Sequence, residues 1–194
     1  MTNDLFTIGH SNHAIDAFIA LLELHRIEAL ADVRSQPYSR RFPDYSREAL
    51  AAHLARAGVR YVFMGGSLGA RPADPACYSG GAADFDLIRL SESFRRGIAR
   101  LASGCANYRI CLMCAEREPA ECHRAILVGH GAYETGIRVS HILGDGVLEQ
   151  HEDMLTRLAG GEAASAELFG TEDRIALSLR KVARRIAYRK GEAE

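Results

Sequence analysis

Long apolar runs are missing from this chain. No stretch approaches the roughly 18–20 residues that a membrane span requires, so no membrane partner is expected. The opening residues, MTNDLFTIGHSN, carry neither a basic segment nor an apolar one of signal-peptide length, so no export signal is expected. An excess of charge of either sign is also missing. The formal net charge is -1 at pH 7, which gives no global field toward nucleic acid or an anionic membrane, although a local basic patch remains compatible with it. Cysteine is scarce and odd in number, with five residues at positions 77, 105, 111, 114 and 122, and Cys111 lies inside an apolar run. Without an export signal, reduced thiols in the cytoplasm are expected rather than a disulfide framework.

Several functional motifs are missing too. A cysteine phosphatase loop wants an arginine six residues after its nucleophile, and the residue six after Cys114 is Ala120. Cys114 and Cys122 lie eight apart, so no Cys-x-x-Cys pair offers zinc-finger or thioredoxin spacing. Residues 65–69 form a glycine loop that lacks the Gly-x-Gly-x-x-Gly order and runs into Arg71 and Pro72, which excludes a dinucleotide fingerprint. No Walker Gly-Lys-Ser/Thr exists. The glycines, Gly66 and Gly69 among them, can still let a ligand approach the backbone.

What remains is an ordinary globular balance, 47% hydrophobic and 25% charged, in 194 residues, enough for one domain or one domain with a small appendage. Short apolar runs at residues 5–8, 29–33, 59–64, 108–113 and 139–143 predict strands. Between them apolar residues recur at helical spacing, as in Ile15, Phe18, Ile19 and Leu22, with Ser11 or Asn12 as the cap. A second helix opens at Ser46 and stops at Gly58, a third runs through Leu87, Leu90, Phe94, Ile98 and Leu101, and a fourth spans residues 124–133. Residues 70–83 predict a surface excursion. This alternation predicts a three-layer α/β domain over residues 1–158, with a mostly parallel sheet of about five strands between helices. Residues 147–158 look helical, and residues 160–165 resemble a linker. A basic amphipathic helix then follows from about residue 171, with Ile175, Leu179, Val182 and Ile186 as the stripe it would bury on the domain or on a second copy of the chain.

Right-handed crossovers put the strand-to-helix loops at one edge of such a sheet, where ligands bind. His10, Asp32, Arg34, Cys114, Glu116 and His141 are expected there. The sharpest segment is Cys114-Ala-Glu-Arg-Glu-Pro-Ala-Glu-Cys122-His123-Arg124. Its helix start accepts an anion, Arg124 adds a clamp for phosphate or carboxylate, and the same field lowers a nearby thiol pKa. The loop from Arg34 through Ser39 to Phe42 mixes arginines, hydroxyls and aromatics that suit phosphate or a stacked base. The candidate catalytic residues are therefore Cys114, Glu116, Cys122, His123 and His10. The candidate anion-binding residues are Arg34, Ser39, Arg124, Ser11, Gly66 and Gly69.

These residues carry a resemblance. Thr7-Ile-Gly-His-Ser11, Asp32-Val-Arg34 with Pro37 and Ser39, Ser67-Leu-Gly69, Cys114-Ala-Glu116 with Pro119, Cys122-His-Arg124, and His141-Ile-Leu with Asp145-Gly146 and His151 together resemble the bacterial family called domain of unknown function 488, from about residue 5 to 158. Ala70 departs from the second glycine expected after Leu68-Gly69. The resemblance supports the fold and the residue set and implies no activity. From the residues, the first expectation is an enzyme, a hydrolase or transferase, acting on an anionic small molecule such as a nucleotide, with Cys114 or Cys122 as nucleophile. A thiol redox or metal site built from Cys114, Cys122 and histidines is the second. A nucleic-acid module using the 34–41 loop and the basic helix is the third. No pattern names a cofactor.

Overall fold

The apolar runs do become strands. The computed structural model describes residues 4–160 and 171–191, so residues 161–165 of the expected linker lie outside the described residues. In chain order the strands are β1 (Asp4–Gly9), β2 (Ala29–Asp32), β3 (Arg60–Phe63), β4 (Tyr78–Ser79), β5 (Ala82–Ala83), β6 (Ile110–Cys114), β7 (Arg138–Ile142) and β8 (Leu148–Gln150). Six of them form one sheet in the order β3-β2-β6-β1-β7-β8, all parallel except β8, which runs antiparallel to β7. The α/β class and the parallel sheet are as expected. The sheet has six strands rather than five because β8 precedes the helix expected from residue 147.

Side chains alternate across the central strands, so each strand feeds two cores. Phe6, Ile8, Leu30, Cys111 and Met113 face α1 (Ile15–Leu24) and α2 (Arg47–Arg56), which bury Phe18, Leu22, Leu50 and Leu54. Leu5, Ala31, Leu112, Cys114 and Val139 face the other layer. That layer holds α3 (Gly65–Leu68), α4 (Phe85–Leu90), α5 (Glu92–Cys105), α6 (His130–Tyr133), α7 (His151–Gly160) and α8 (Thr171–Ile186).

Local chemistry sets several boundaries. Ser91 accepts the Phe94 N–H and divides the expected third helix into α4 and α5. Ala14, not Ser11 or Asn12, precedes α1, and Ser11 occupies a positive-φ turn at +47°. Gly58, at φ +73°, ends α2 as its sequence position suggests. The helix from Arg124 opens with a wide π turn over Arg124–Gly129, in which the His130 N–H reaches back to the Ala125 carbonyl, before continuing as α6.

Within the excursion, β4 and β5 form a hairpin turning at Gly80 and Gly81, φ +57° and +80°. The segment after α8 returns to this hairpin. The Ala83 N–H donates to the Tyr188 carbonyl and the Lys190 N–H to the Gly81 carbonyl. The expected stripe of α8 packs on the domain: Leu179 and Val182 are buried, and Ile175 and Ile186 are partly so. No helix among the described residues is long and apolar enough to cross a membrane.

Candidate functional site

Because β3, β2, β6, β1 and β7 are parallel, their C-terminal ends share one edge. β1 and β6 lie side by side there, with Gly9 opposite Cys114. The pairing continues past both strands, since the His10 N–H donates to the Cys114 carbonyl at 2.9 Å and the Ser11 N–H to the Ala115 carbonyl at 2.8 Å. Gly9 has no side chain for a steric reason. A Cβ would stand 1.8 Å from the Glu116 carbonyl oxygen and 3.1 Å from Arg124 Nη1. Gly9→Ala must therefore push the 115–117 loop outward. Overpacking of this kind costs about 1–3 kcal/mol, so thermal unfolding should show a fall of several degrees in Tm.

The loop and the start of the next helix bring four reactive side chains together. Cys114, at the end of β6, donates its thiol to Glu116 Oε2 at 3.0 Å and lies 3.5 Å from His123 Nδ1. Cys122 Sγ is 2.8 Å from the same carboxyl oxygen. One ligand atom from each of Cys114, Glu116, Cys122 and His123 lies within 4.8 Å of the others. The His123 ring is held from behind: Nε2 is 3.0 Å from the Val33 carbonyl, which only accepts, so Nε2 carries the proton and Nδ1 faces the sulfurs. Both sulfurs are buried, at 3% and 1% exposure, whereas Glu116 is an exposed residue with its carboxyl folded back onto them.

Groups this close cannot all be anionic, because like charges in a low-dielectric site repel strongly. Burial and the Cys122 contact push the Cys114 thiol well above its usual range. Burial acts on Cys122 in the same direction, but the Cys114 hydrogen bond and the Arg124 and His123 charges outweigh it and hold Cys122 well below. Burial and then the Cys122 charge raise Glu116. Burial would lower His123, but the Cys122 contact and the Val33 carbonyl raise it. The cluster thus biases protons away from Cys122 and toward Cys114, Glu116 and His123.

The cluster floors a cleft of about 600 Å³ whose walls include His10, Ser11, Arg34, Ser39, Arg41, Phe42, Tyr188 and Arg189. Arg34 is fixed by a two-pronged pair with Asp32, Nε to Oδ1 at 2.9 Å and Nη2 to Oδ2 at 2.7 Å, and Nη2 also donates to the Tyr45 carbonyl. Its Nη1 lies 3.4 Å from His10 Nε2. His10 stacks on Tyr45 with ring centroids 4.2 Å apart, and burial, then the Arg34 charge, lower its pKa to about 4, so it enters the cleft neutral. Ser39 Oγ accepts the Phe42 N–H and shapes the 34–42 loop.

Other expected residues stand elsewhere. Arg124 is fully buried and does not line the cleft; Nη1 donates to the Glu116 carbonyl at 2.6 Å and Nη2 to the Arg117 carbonyl at 3.0 Å. It builds the loop that aims Glu116. Gly66 is exposed away from the cleft. Gly69 is buried where a Cβ would meet Ser35 Oγ and the Gly65 carbonyl at 2.4 Å. Asp32 and His141 are buried outside the cleft lining, Asp32 beneath Arg34 and His141 between Thr7 and His151, because both side chains leave the strands themselves rather than the loops beyond them. His123 and His130, seven residues apart, diverge: His130 Nδ1 bonds His151 Nε2 at 3.1 Å. The sequence places Tyr188 and Arg189 within the basic C-terminal helix, expected to run to Lys190, but that helix ends at Ile186 and both residues line the cleft.

This is an α/β domain with a thiol–carboxyl–imidazole cluster at the carboxyl edge of its sheet. The family model described as "Domain of unknown function DUF488" matches residues 14–130, well over half of the chain, and the chain belongs to that family. No match to a curated protein or to a solved structure was found.

Proposed function

We propose that the protein is an enzyme acting on an anionic small molecule, a phosphorylated compound or nucleotide, bound in this cleft. One observation carries the reading: the four-residue cluster and a cationic rim meet in a single concavity. Arg41 and Arg189 are exposed on that rim, and the Arg41 guanidinium lies over the Phe42 ring at 5.3 Å, a surface on which a planar group can stack. They take the anion-holding role that sequence reasoning gave to Arg124. Cys122, Glu116 and His123 supply the reactive atoms at the floor, and their surroundings raise the pKa values of Glu116 and His123, which favours proton uptake by both. The returning C-terminal segment closes one wall, so residues outside the family match shape the cavity.

Inorganic phosphate or a nucleoside monophosphate should raise Tm, by about 3 kcal/mol of added stability at a hundredfold excess over Kd. The double variant Arg41→Ala/Arg189→Ala should lose most of that shift, and Arg96→Ala, an exposed arginine paired with Glu92 away from the cleft, should keep it. No shift in the wild type, or an equal shift in the double variant, would show the reading to be wrong.

A further inference from the structure

We infer that Cys114, Cys122, His123 and Glu116 bind a thiophilic divalent cation of the zinc class, with the first three as fixed donors and Glu116 as a displaceable fourth. The inference deepens the proposed function, and its catalytic meaning rests on that reading; the binding itself does not.

The donor set is the first argument. Two thiolates, an imidazole and a carboxylate suit a borderline-soft ion and suit neither calcium nor magnesium. Spacing is the second. Tetrahedral bonds of about 2.3 Å to sulfur and 2.0–2.2 Å to nitrogen and oxygen imply donor-to-donor edges of roughly 3.3–3.8 Å. Cys114 Sγ and His123 Nδ1 already stand 3.5 Å apart, and all four atoms lie within 4.8 Å of one another. Glu116 Oε2, at 2.8 and 3.0 Å from the sulfurs, needs only to withdraw by less than about 1 Å to reach the edge length of a tetrahedral site.

The surroundings are the third. Metal-ligating histidines typically donate their other ring N–H to a backbone carbonyl or carboxylate, which fixes the tautomer and aims the free nitrogen. His123 does this through Val33. The Arg124 backbone N–H points at Cys122 Sγ at 3.5 Å, a donor that can stabilise a coordinated thiolate. The donors come from a strand end and a helix start, held by the buried Arg124 clamp on the Glu116 and Arg117 carbonyls. Access is the last. The sulfurs line the cleft but are almost fully buried beneath a carboxyl, a depth that a bare ion reaches readily. A cation also relieves the charge conflict of the cluster, because binding releases the thiol protons and lets neighbouring acids ionise together. With Glu116 withdrawn, one coordination position faces the anion-binding cleft, the arrangement of a catalytic rather than a closed structural site.

Cobalt(II) is the probe. Full-length protein stripped with a chelator should bind one equivalent and show a sulfur-to-cobalt charge-transfer band with the visible bands of a tetrahedral site, and zinc should displace it. Cys114→Ser and Cys122→Ser should each weaken the band and lower affinity by more than about 100-fold, and His123→Ala should act similarly. Cys77→Ser and Cys105→Ser, buried elsewhere, should change nothing. If a cysteine variant does not fold, the wild-type titration still decides. Native circular dichroism with no cobalt binding overturns the inference, as does a charge-transfer band of undiminished intensity and affinity in folded Cys122→Ser. A phosphate-dependent Tm shift without cobalt binding would overturn this inference and leave the anion reading standing. Cobalt binding without any phosphate effect would support this inference and overturn the anion reading.

Discussion

Asp32→Ala is expected to destabilise the protein by about 3–5 kcal/mol, a fall of roughly ten degrees in Tm. Asp32 has no exposure and accepts from Arg34 Nε, Nη2 and backbone N–H, and from the Tyr61 hydroxyl at 2.8 Å. Its removal leaves a buried guanidinium without a counter-charge and a part-buried phenol without its acceptor. That is the costly way to break an ion pair, since removing both charges is far cheaper than removing one. Asp32→Ala/Arg34→Met should therefore be less destabilised than the sum of the single variants. Chemical denaturation of the four proteins measures this directly. A loss below about 1 kcal/mol in Asp32→Ala would mean that Arg34 finds solvent or another acceptor when the carboxylate is gone.

Acid should unfold the protein early. Three histidines form a buried chain: Thr7 Oγ1 to His141 Nδ1 at 2.8 Å, His141 Nε2 to His151 Nδ1 at 3.1 Å, and His151 Nε2 to His130 Nδ1 at 3.1 Å. Each ring gives one nitrogen as donor and one as acceptor, so the chain is satisfied only when the rings are neutral. Burial lowers His130 to about 4 and, with the His130 charge, His151 to about 3; burial and then His151 hold His141 well below its usual value. The sign follows from proton uptake. Below about pH 6.5 the unfolded chain binds protons that the folded chain refuses, so stability is full above that pH and falls as pH drops toward the folded values. Each such histidine contributes a slope of about 1.4 kcal/mol per pH unit, and three together exhaust an ordinary domain's stability within a few units. Urea midpoints measured between pH 7 and pH 4 should fall steeply. His130→Gln, at the half-buried end of the chain, should flatten the slope by about one proton. A flat profile would mean that the rings charge without disrupting the fold.

The sheet was legible because its central strands are short continuous apolar runs, as strands covered on both faces must be. β8 was not. Leu148, Glu149 and Gln150 are exposed or half-buried, and only their antiparallel pairing with β7 makes them a strand. The site was legible where chemistry and backbone position coincide, as for Cys114 at a strand end and Cys122 and His123 at a helix start. It failed where side-chain direction decides. Nothing local in Cys122-His123-Arg124 reveals that the arginine turns inward to two carbonyls while the histidine turns to Val33. The same limit hid the histidine chain, whose bonded partners lie up to 134 residues apart in sequence.

The wide turn over Arg124–Gly129 acts as a phase adjuster between two jobs of one helix. Downstream of it, Ala132 is locked into the core; upstream, Cys122, His123 and Arg124 must point at the sulfur cluster and its loop. A wide turn takes up one residue more than a regular turn over about the same arc, so the helix carries the extra residue without a change in the direction of either flank. Deleting one residue within the turn would restore regular winding and leave Cys122 and His123 aimed as before. The same deletion in the regular winding downstream would swing the reactive end by about 100° and take the imidazole off the Val33 carbonyl. The wide turn thus marks the place in this helix where chain length can change by one residue without re-aiming the site.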